Sequence, residues 1–330
     1  MFLVGLQIMT KEEKVSLLAQ VNTLTGLNVI NDAAQKGAKQ AKNFVMGWGE
    51  KAAQWVGQQV GRPDVGRAIR EFDASTDWNA EVLQKKINKE IDILTGLSER
   101  QLSRMLRVRT AEIAEVDEQA AEQVLEAAIV NRAMKALGKK FDNRMFENSV
   151  NPEEAVYAVC IEELMEAIQK RLNKMSYDEE DQVKKALEEE MAKLSEMDQE
   201  AIKRATGLES LSSEAILKFL KTTSGVAFAQ LLIGGTGFGA FLFLTTSMKA
   251  LSLLLGVTLP FVSYVAATTF LSFLLSGPFL LLIVGLSGGL LYRGTSTSIN
   301  DQLAKLLLIT GRLKYDSMKS QGNSNLPCLS

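Results

Sequence analysis

The side chains that most often carry out acid–base or nucleophilic chemistry are absent or badly placed in this chain. None of the 330 residues is a histidine, which excludes Ser-His and Cys-His catalysis and histidine-ligated metals. The carboxylates of Glu162-Glu163 and of residues 188–190 are sequence neighbours on helical patterns, so they are expected to point into solvent instead of converging in a pocket. We expect no catalytic residue, metal or cofactor, and predict that the chain is not an enzyme.

Other motifs that bind metals, nucleotides or nucleic acids are also missing. Cys160 and Cys328 are far apart and have no CxxC partner, so neither a zinc site nor a disulfide scaffold is indicated. The glycine-rich run at 232–239 superficially resembles a dinucleotide-binding turn, but that turn needs an acidic residue about 20 positions later. Residues 222–300 contain no acid. Basic residues are scattered without interleaved aromatics, and nucleic acid is therefore not an expected partner.

The most unusual stretch is an apolar block from Thr222 to Tyr292. Its 71 residues contain ten glycines and one charged side chain, Lys249. A helix on a protein surface has polar residues every third or fourth position, and this block shows no such face. Two environments fit it, a lipid bilayer and an unusually large helical core buried within the protein. We predict the bilayer and keep a wholly soluble protein with a buried core as the alternative.

The distribution of charge supports the membrane prediction. Residues 1–221 carry 31 basic and 37 acidic side chains, whereas residues 222–330 carry six and two. Basic residues flank the block on both sides, which favours the cytoplasm for both ends and an even number of crossings, arranged as hairpins. Small residues spaced as in Gly235-x-x-x-Gly239 let two helix backbones approach, in lipid or within one chain. The residues predicted to serve membrane insertion and helix packing are Gly235, Gly239, Lys249, Pro260, Gly277 and Pro278.

The 221 residues before the block are predicted to be nearly all helical. Capping boxes begin helices at Thr10, Ser98 and Ser176, and the first of these helices is expected to end near Gly26. The apolar residues 1–8 lack the features of a signal peptide, and Met9 is an alternative start. The predicted fold class is all-α, a multi-helix soluble bundle followed by a C-terminal hydrophobic helical-hairpin region. Its predicted parts are N-terminal helices (1–62), an acidic helical bundle (63–221), membrane-inserting hairpins (222–292), and a basic amphipathic helix with a disordered tail (293–330).

Two other stretches have features of helices that lie in a membrane interface. Residues 30–61 place Trp48 and Trp55 on one stripe of a small-residue helix, although packing of both rings onto neighbouring helices is the favoured interpretation. After the block, an amphipathic helix beginning near Ile299 carries basic residues that suit anionic lipid, and packing back onto the bundle fits equally well. The basic candidates for the interface are Arg293, Lys305 and Arg312.

The order of an acidic helical region, the segment Gly207–Ser213 and a glycine-rich apolar tail resembles the YaaW family of bacterial proteins. The segment Thr258-Leu259-Pro260-Phe261, with Tyr264 and Gly277-Pro278, is similar to the tail of that family. The resemblance covers roughly residues 155–292. Residues 279–284 are more lipophilic than the family pattern. The resemblance implies a membrane-proximal sensor or effector in anti-phage defence, and it transfers no catalytic residue.

These observations together predict a membrane-associated helical protein. We expect a bacterial defence or toxin-like effector or sensor that inserts into or perturbs the inner membrane, with its helical head on the cytoplasmic side, or a chain that stays cytoplasmic until triggered. A pore would require several copies of the chain, so a homo-oligomer is an expected partner beside the lipid bilayer. The alternative function is a passive membrane-anchored scaffold whose helical head binds a partner protein.

Overall fold

The computed structural model describes residues 1–35, 80–138, 151–233, 237–251 and 299–320. All regular structure within these ranges is helical, which confirms the all-α prediction. The described helices are α1 (Phe2–Gln7), α2 (Lys11–Gln35), α3 (Ala80–Thr95), α4 (Glu99–Ala114), α5 (Glu122–Leu137), α6 (Pro152–Leu172), α7 (Tyr177–Ala192), α8 (Glu196–Thr206), α9 (Ser213–Thr222), α10 (Gly225–Ile233), α11 (Gly237–Leu251) and α12 (Ile299–Ser320).

Polar side chains fix the first turns of several helices at the predicted places. At the start of α4, the Ser98 hydroxyl accepts a hydrogen bond from the backbone N–H of Gln101, whose side chain accepts one from the Ser98 N–H. Capping boxes also open α2 and α7. Helix α2 differs from the prediction, because it continues through Gly26 to Gln35. A glycine inside a helix costs only about 1 kcal/mol, which does not end a helix by itself.

Helix α12, the last described helix, lies at the centre of one group of the described helices. It packs against α1, α2, α4, α5, α6 and α11, and residues 301–314 are all buried. Helices α7 to α11 form a second group, in which α11 packs on α7, α8 and α10. Helix α6 joins the two groups, since it contacts α5 and α12 on one side and α9 and α10 on the other. Five of these six partners of α12 lie within the first 172 residues, so most of the packing around α12 comes from distant parts of the sequence.

The first part of the apolar block forms two short helices that pack on other helices of the chain. Helix α10 lies against α6, and α11 lies against α7 and α8, which carry many charged residues on their exposed sides. Three phenylalanine rings meet at this junction. The ring of Phe219 is 5.0 Å from that of Phe243 and 6.4 Å from that of Phe228, in edge-to-face geometry that aromatic pairs prefer. Phe228 and Phe243 are completely buried.

Two glycines of the block allow the helices to approach this closely. A methyl group added at Gly239 would overlap the backbone carbonyl oxygen of Ala201 in α8, and one added at Gly225 would lie 2.7 Å from the Cα atom of Glu162 in α6. In each case the obstacle is backbone, which cannot rotate away as a flexible side chain can. Gly239 is thus a helix-packing residue within this chain, and its neighbour is an amphipathic helix rich in charged residues.

The prediction of a membrane-inserting function is wrong. Among the described residues, no helix is both long enough and apolar enough to cross a membrane. Helices α10 and α11 have only nine and 15 residues. Both helices are apolar because they pack against other helices of the chain. The sequence alone was compatible with burial either in lipid or in protein. The same finding contradicts the predicted transmembrane helices, the predicted pore and the predicted inner-membrane location. It also contradicts the membrane anchor of the alternative scaffold.

Several sequence predictions fall outside the described residues. These are the Trp48 and Trp55 stripe, the part of the predicted 222–292 hairpins at 252–292, the tail from Gly322, and the packing or interface residues Gly235, Pro260, Gly277, Pro278 and Arg293. Lys249 lies on α11.

Candidate functional site

The charged side chains of the central helix α12 form the most unusual chemical feature of the described structure. Asp301, Lys305, Arg312 and Lys314 are between 2 and 7% exposed, yet each pairs with an oppositely charged side chain from another helix. Charged groups are rarely buried in proteins unless they are paired. The helices that pack around α12 enclose it in a space that we call the receptor channel. We take this channel, together with the ion pairs of α12, as the candidate functional site.

The largest group of these charges surrounds Glu153 at the start of α6. We call it the Glu153 cluster, and it comprises the Met1 amine, Glu126, Glu153, Glu154, Tyr157, Arg312 and Asp316. The Oε2 atom of Glu153 accepts a hydrogen bond of 2.8 Å from the Met1 amine, which also lies 2.9 Å from Glu126. The Oε1 atom of Glu153 accepts the backbone N–H of Phe2 at 3.0 Å and lies 3.5 Å from Arg312.

Arg312 connects the cluster to the rest of α12. Its Nε atom donates to both carboxylate oxygens of Asp316 at 3.1 Å, and its Nη2 atom lies 3.5 Å from Glu154. The guanidinium is 5.7 Å from the centroid of the Tyr157 ring, within the range of a cation–π contact. The planar guanidinium presents several donors in fixed directions, so it meets carboxylates on two helices at once.

Three further pairs hold α12 along its length. Lys314 contacts Glu13 of α2 at 2.9 Å, and Glu13 is only 1% exposed. Lys305 contacts Glu163 of α6 at 2.5 Å. Near the beginning of α12, Asp301 accepts a hydrogen bond of 2.9 Å from Arg132 of α5, and Arg132 also pairs with Glu115. Because these partners come from three different helices, the pairs specify both the rotation of α12 and its position along the channel.

Burial of the Glu153 cluster changes how its acids titrate. Burial, together with the hydrogen bond that Glu153 shares with the carboxyl group of Glu126, raises the pKa of Glu153 to about 7. The same hydrogen bond from Glu153 lowers the pKa of Glu126, with the Met1 amine adding to the effect. Below about pH 7 the proton therefore resides on Glu153 while Glu126 is ionised, since two adjacent carboxylates disfavour double ionisation.

The raised pKa of Glu153 predicts a specific pH dependence of stability. The folded chain keeps the Glu153 proton up to about pH 7, whereas the unfolded chain releases it near its ordinary pKa of 4.5. Within this window the folded state binds more protons, so raising the pH destabilises it. As the pH rises across this window, we expect the free energy of unfolding of Glu153→Gln to increase by roughly 2 kcal/mol relative to that of the wild type.

Urea unfolding of both proteins at several pH values measures this difference. The matched control is Glu189→Gln, at an exposed position of α7, which should give a pH profile parallel to that of the wild type. Parallel profiles for the wild type and Glu153→Gln would contradict the assignment of a shared buried proton.

The acids and the thiol closest to α12 are engaged with other groups of the protein or protonated. Both carboxylate oxygens of Glu153 and of Asp316 are engaged, by the Met1 amine, the Phe2 N–H and the Arg312 guanidinium. Cys160 is buried next to α12, and burial raises its pKa to about 12, which keeps the thiol protonated and a poor nucleophile. Among the described residues, no group of acids or cysteines is arranged to hold a metal ion.

The sequence analysis assigned three residues of this site to solvent or to a membrane interface, and it did not predict the others to belong to a site. Lys305 and Arg312 were predicted to face a membrane interface, but the structure buries both in ion pairs inside the protein. Glu163 was predicted to point into solvent, but it pairs with the buried Lys305 and is only 14% exposed. The residues that were not predicted to belong to the site are Glu13, Glu126, Arg132, Glu153, Glu154, Tyr157, Asp301, Lys314 and Asp316. Glu13 and Glu153 lie in first turns, where acids are common for reasons of capping and helix dipole. Their positions therefore carried no separate signal of long-range pairing.

Comparison with known protein families, curated proteins and solved structures gives no match for this chain. The resemblance to the YaaW family stays a prediction.

Proposed function

We propose that the chain is a non-enzymatic interaction protein whose helical bundle is a charge-selective receptor for a helix of the α12 type. The observation that carries the proposal is the pairing of every described charged side chain from Asp301 to Lys314 with a partner on another helix. In this chain the receptor channel holds its own α12. A partner protein would offer a helix with the same pattern of charges.

The energetics of buried ion pairs favour a role in recognition over a role in stability alone. Removing two charges from water costs several kcal/mol per ion, and their attraction often does no more than offset this cost. Well-packed apolar residues would stabilise α12 at least as well. Buried charges instead penalise a wrong partner or register, because any mismatch leaves a buried charge without its counter-ion. The Glu13–Lys314 and Arg132–Asp301 pairs have opposite polarity along α12, so they also oppose reversed binding.

The proposed mode of binding is helix-in-groove recognition, in which apolar anchors provide affinity and charges provide selectivity. The apolar anchors are available in α12, because Leu303, Leu306, Leu307, Leu308, Ile309 and Leu313 are all buried. We expect a partner helix to carry the same order and spacing of charges as α12. This order is one acidic position, Asp301, followed by three basic positions, Lys305, Arg312 and Lys314.

A peptide-exchange experiment tests the proposal on the full chain. A specific protease site is introduced between residues 252 and 298, the purified protein is cleaved, and a fluorescent peptide of residues 299–320 is added in excess. We expect it to replace the resident α12 fragment, whereas the peptide carrying Lys305→Glu, Arg312→Glu and Lys314→Glu should bind at least about a hundredfold more weakly.

The matched control restores one pair with its charges exchanged. The single-reversal peptide Lys314→Glu should bind better to the chain carrying Glu13→Lys than to the wild-type chain. Equal binding of the native and triply reversed peptides would overturn the proposal, because affinity would then come from apolar burial alone.

A further inference from the structure

The contact between α1 and α12 combines three features: direct backbone packing, a carboxylate that binds both helices, and the short length of α1. Among the described residues, no other contact around α12 combines them. A methyl group at Gly5 would overlap the carbonyl oxygen of Gly311, and one at Gly311 would overlap the carbonyl oxygen of Phe2. The two helix backbones therefore touch, without side chains between them. Phe2, Leu3 and Leu6 are buried around this crossing.

The same carboxylate binds both helices. The Oε1 atom of Glu153 lies 3.0 Å from the backbone nitrogen of Phe2 and 3.5 Å from Nη1 of Arg312. Loss of the Phe2 contact would leave a buried carboxylate oxygen with fewer donors, and the electrostatic surroundings of Arg312 would change with it. The position of α1 is thus coupled to the main ion-pair cluster of α12.

Helix α1 is also too short to persist without its neighbours. It has six residues, and isolated helices shorter than about 12 residues are marginal in water because nucleation is costly. It packs mainly on α12, with additional contacts to α5. Its helical state therefore depends on docking, and a short connection (Ile8 to Thr10) separates it from α2. Helix α1 is able to leave its position without unfolding a longer element.

From these three observations we propose that α1 is a latch that controls the release of α12 from the receptor channel. Undocking of α1 removes the backbone contact at Gly311 and two donors of Glu153, the Met1 amine and the Phe2 N–H, and this lowers the barrier to exchange of α12 for a partner helix. Docked α1 keeps the channel occupied by the chain's own helix. The latch rests on the proposed function, since it regulates access to the same channel.

Hydrogen exchange of the full chain, followed by mass spectrometry, tests the latch. In Gly5→Ala the added methyl group meets the Gly311 backbone, although alanine by itself favours helix formation. We expect exchange in residues 301–314 to accelerate by about tenfold or more, as overpacking against backbone should cause. Exchange of residues 183–191 in α7 should stay within about twofold of the wild type.

The control variant is Gln7→Ala, which also lies on α1. It removes an exposed hydrogen bond of 2.8 Å from the Gln7 side chain to Glu122 of α5. It should leave exchange in residues 301–314 unchanged. Unchanged exchange of this segment in Gly5→Ala would overturn the latch, and so would equal acceleration in every described helix, because α1 would then not act locally. Equal binding of native and charge-reversed peptides would instead overturn the charge-selective receptor, so the two failures are distinguishable.

Discussion

Replacing Lys314 with methionine should lower the free energy of unfolding by about 3–5 kcal/mol. Methionine preserves most of the side-chain volume but removes the counter-ion of Glu13, which is 1% exposed and lies 2.9 Å from the lysine nitrogen. A buried carboxylate without its partner carries the full cost of desolvation. Urea unfolding followed by circular dichroism measures the effect. A loss of this size in the free energy of unfolding is much larger than that expected for a lysine exposed on the surface of a helix.

Two further variants separate burial of the charge from loss of the lysine itself. Lys193→Met removes an exposed lysine that pairs with Glu190, and it should cost no more than about 1 kcal/mol. Adding Glu13→Gln to Lys314→Met removes the unpaired charge while leaving an oxygen for the Thr10 N–H, so the double variant should recover most of the loss. A Lys314→Met effect no larger than that of Lys193→Met would show that the pair is not buried.

Replacing Phe243 with alanine should cost about 3–5 kcal/mol. The ring is completely buried and packs edge-to-face on Phe219, so the substitution removes apolar burial and leaves a cavity between α9, α10 and α11. Phe243 belongs to the apolar block, with Lys249 as its one charged side chain, that the sequence analysis assigned to a bilayer. A large loss of unfolding free energy in aqueous buffer is the result expected for a core residue.

Val226→Ala is the matched control in the same block. Val226 is 41% exposed at the beginning of α10, and its truncation should change stability by less than about 1 kcal/mol. If Phe243→Ala and Val226→Ala had equally small effects on urea unfolding, the packing of α11 in the core would be contradicted.

Local features of the fold were predictable because the interactions that produce them are local. The start of α7 follows from Ser176 and Glu179, whose side chains and backbone groups satisfy each other within one turn. The all-α class follows from the periodic apolar residues of the first 221 positions. Helix α1 was not predicted, since its six residues show no amphipathic period and a helix this short depends on contacts, here with α12 and α5.

The environment of the apolar block was not predictable from its composition. Lipid and a protein core both exclude water, so both accept a stretch with almost no charge. The choice for residues 225–251 depends on which helices pack against them, and those contacts connect distant parts of the chain. The site has the same limitation. Glu13 and Lys314 are separated by 301 positions, and each looks like a solvent-facing charge on its own helix.

Thiol accessibility of α12 tests the central claim most directly. Cysteine is introduced singly at Gln302, Ala304 or Thr310, positions distributed around the helix circumference, in a chain with Cys328→Ser. All three side chains are buried, whereas Val124, the control position, is 52% exposed. Central burial predicts that all three cysteines react with a water-soluble maleimide at least about a hundredfold more slowly than Val124→Cys. A rate at any of the three positions equal to that of Val124→Cys would place one face of α12 in solvent and contradict the account.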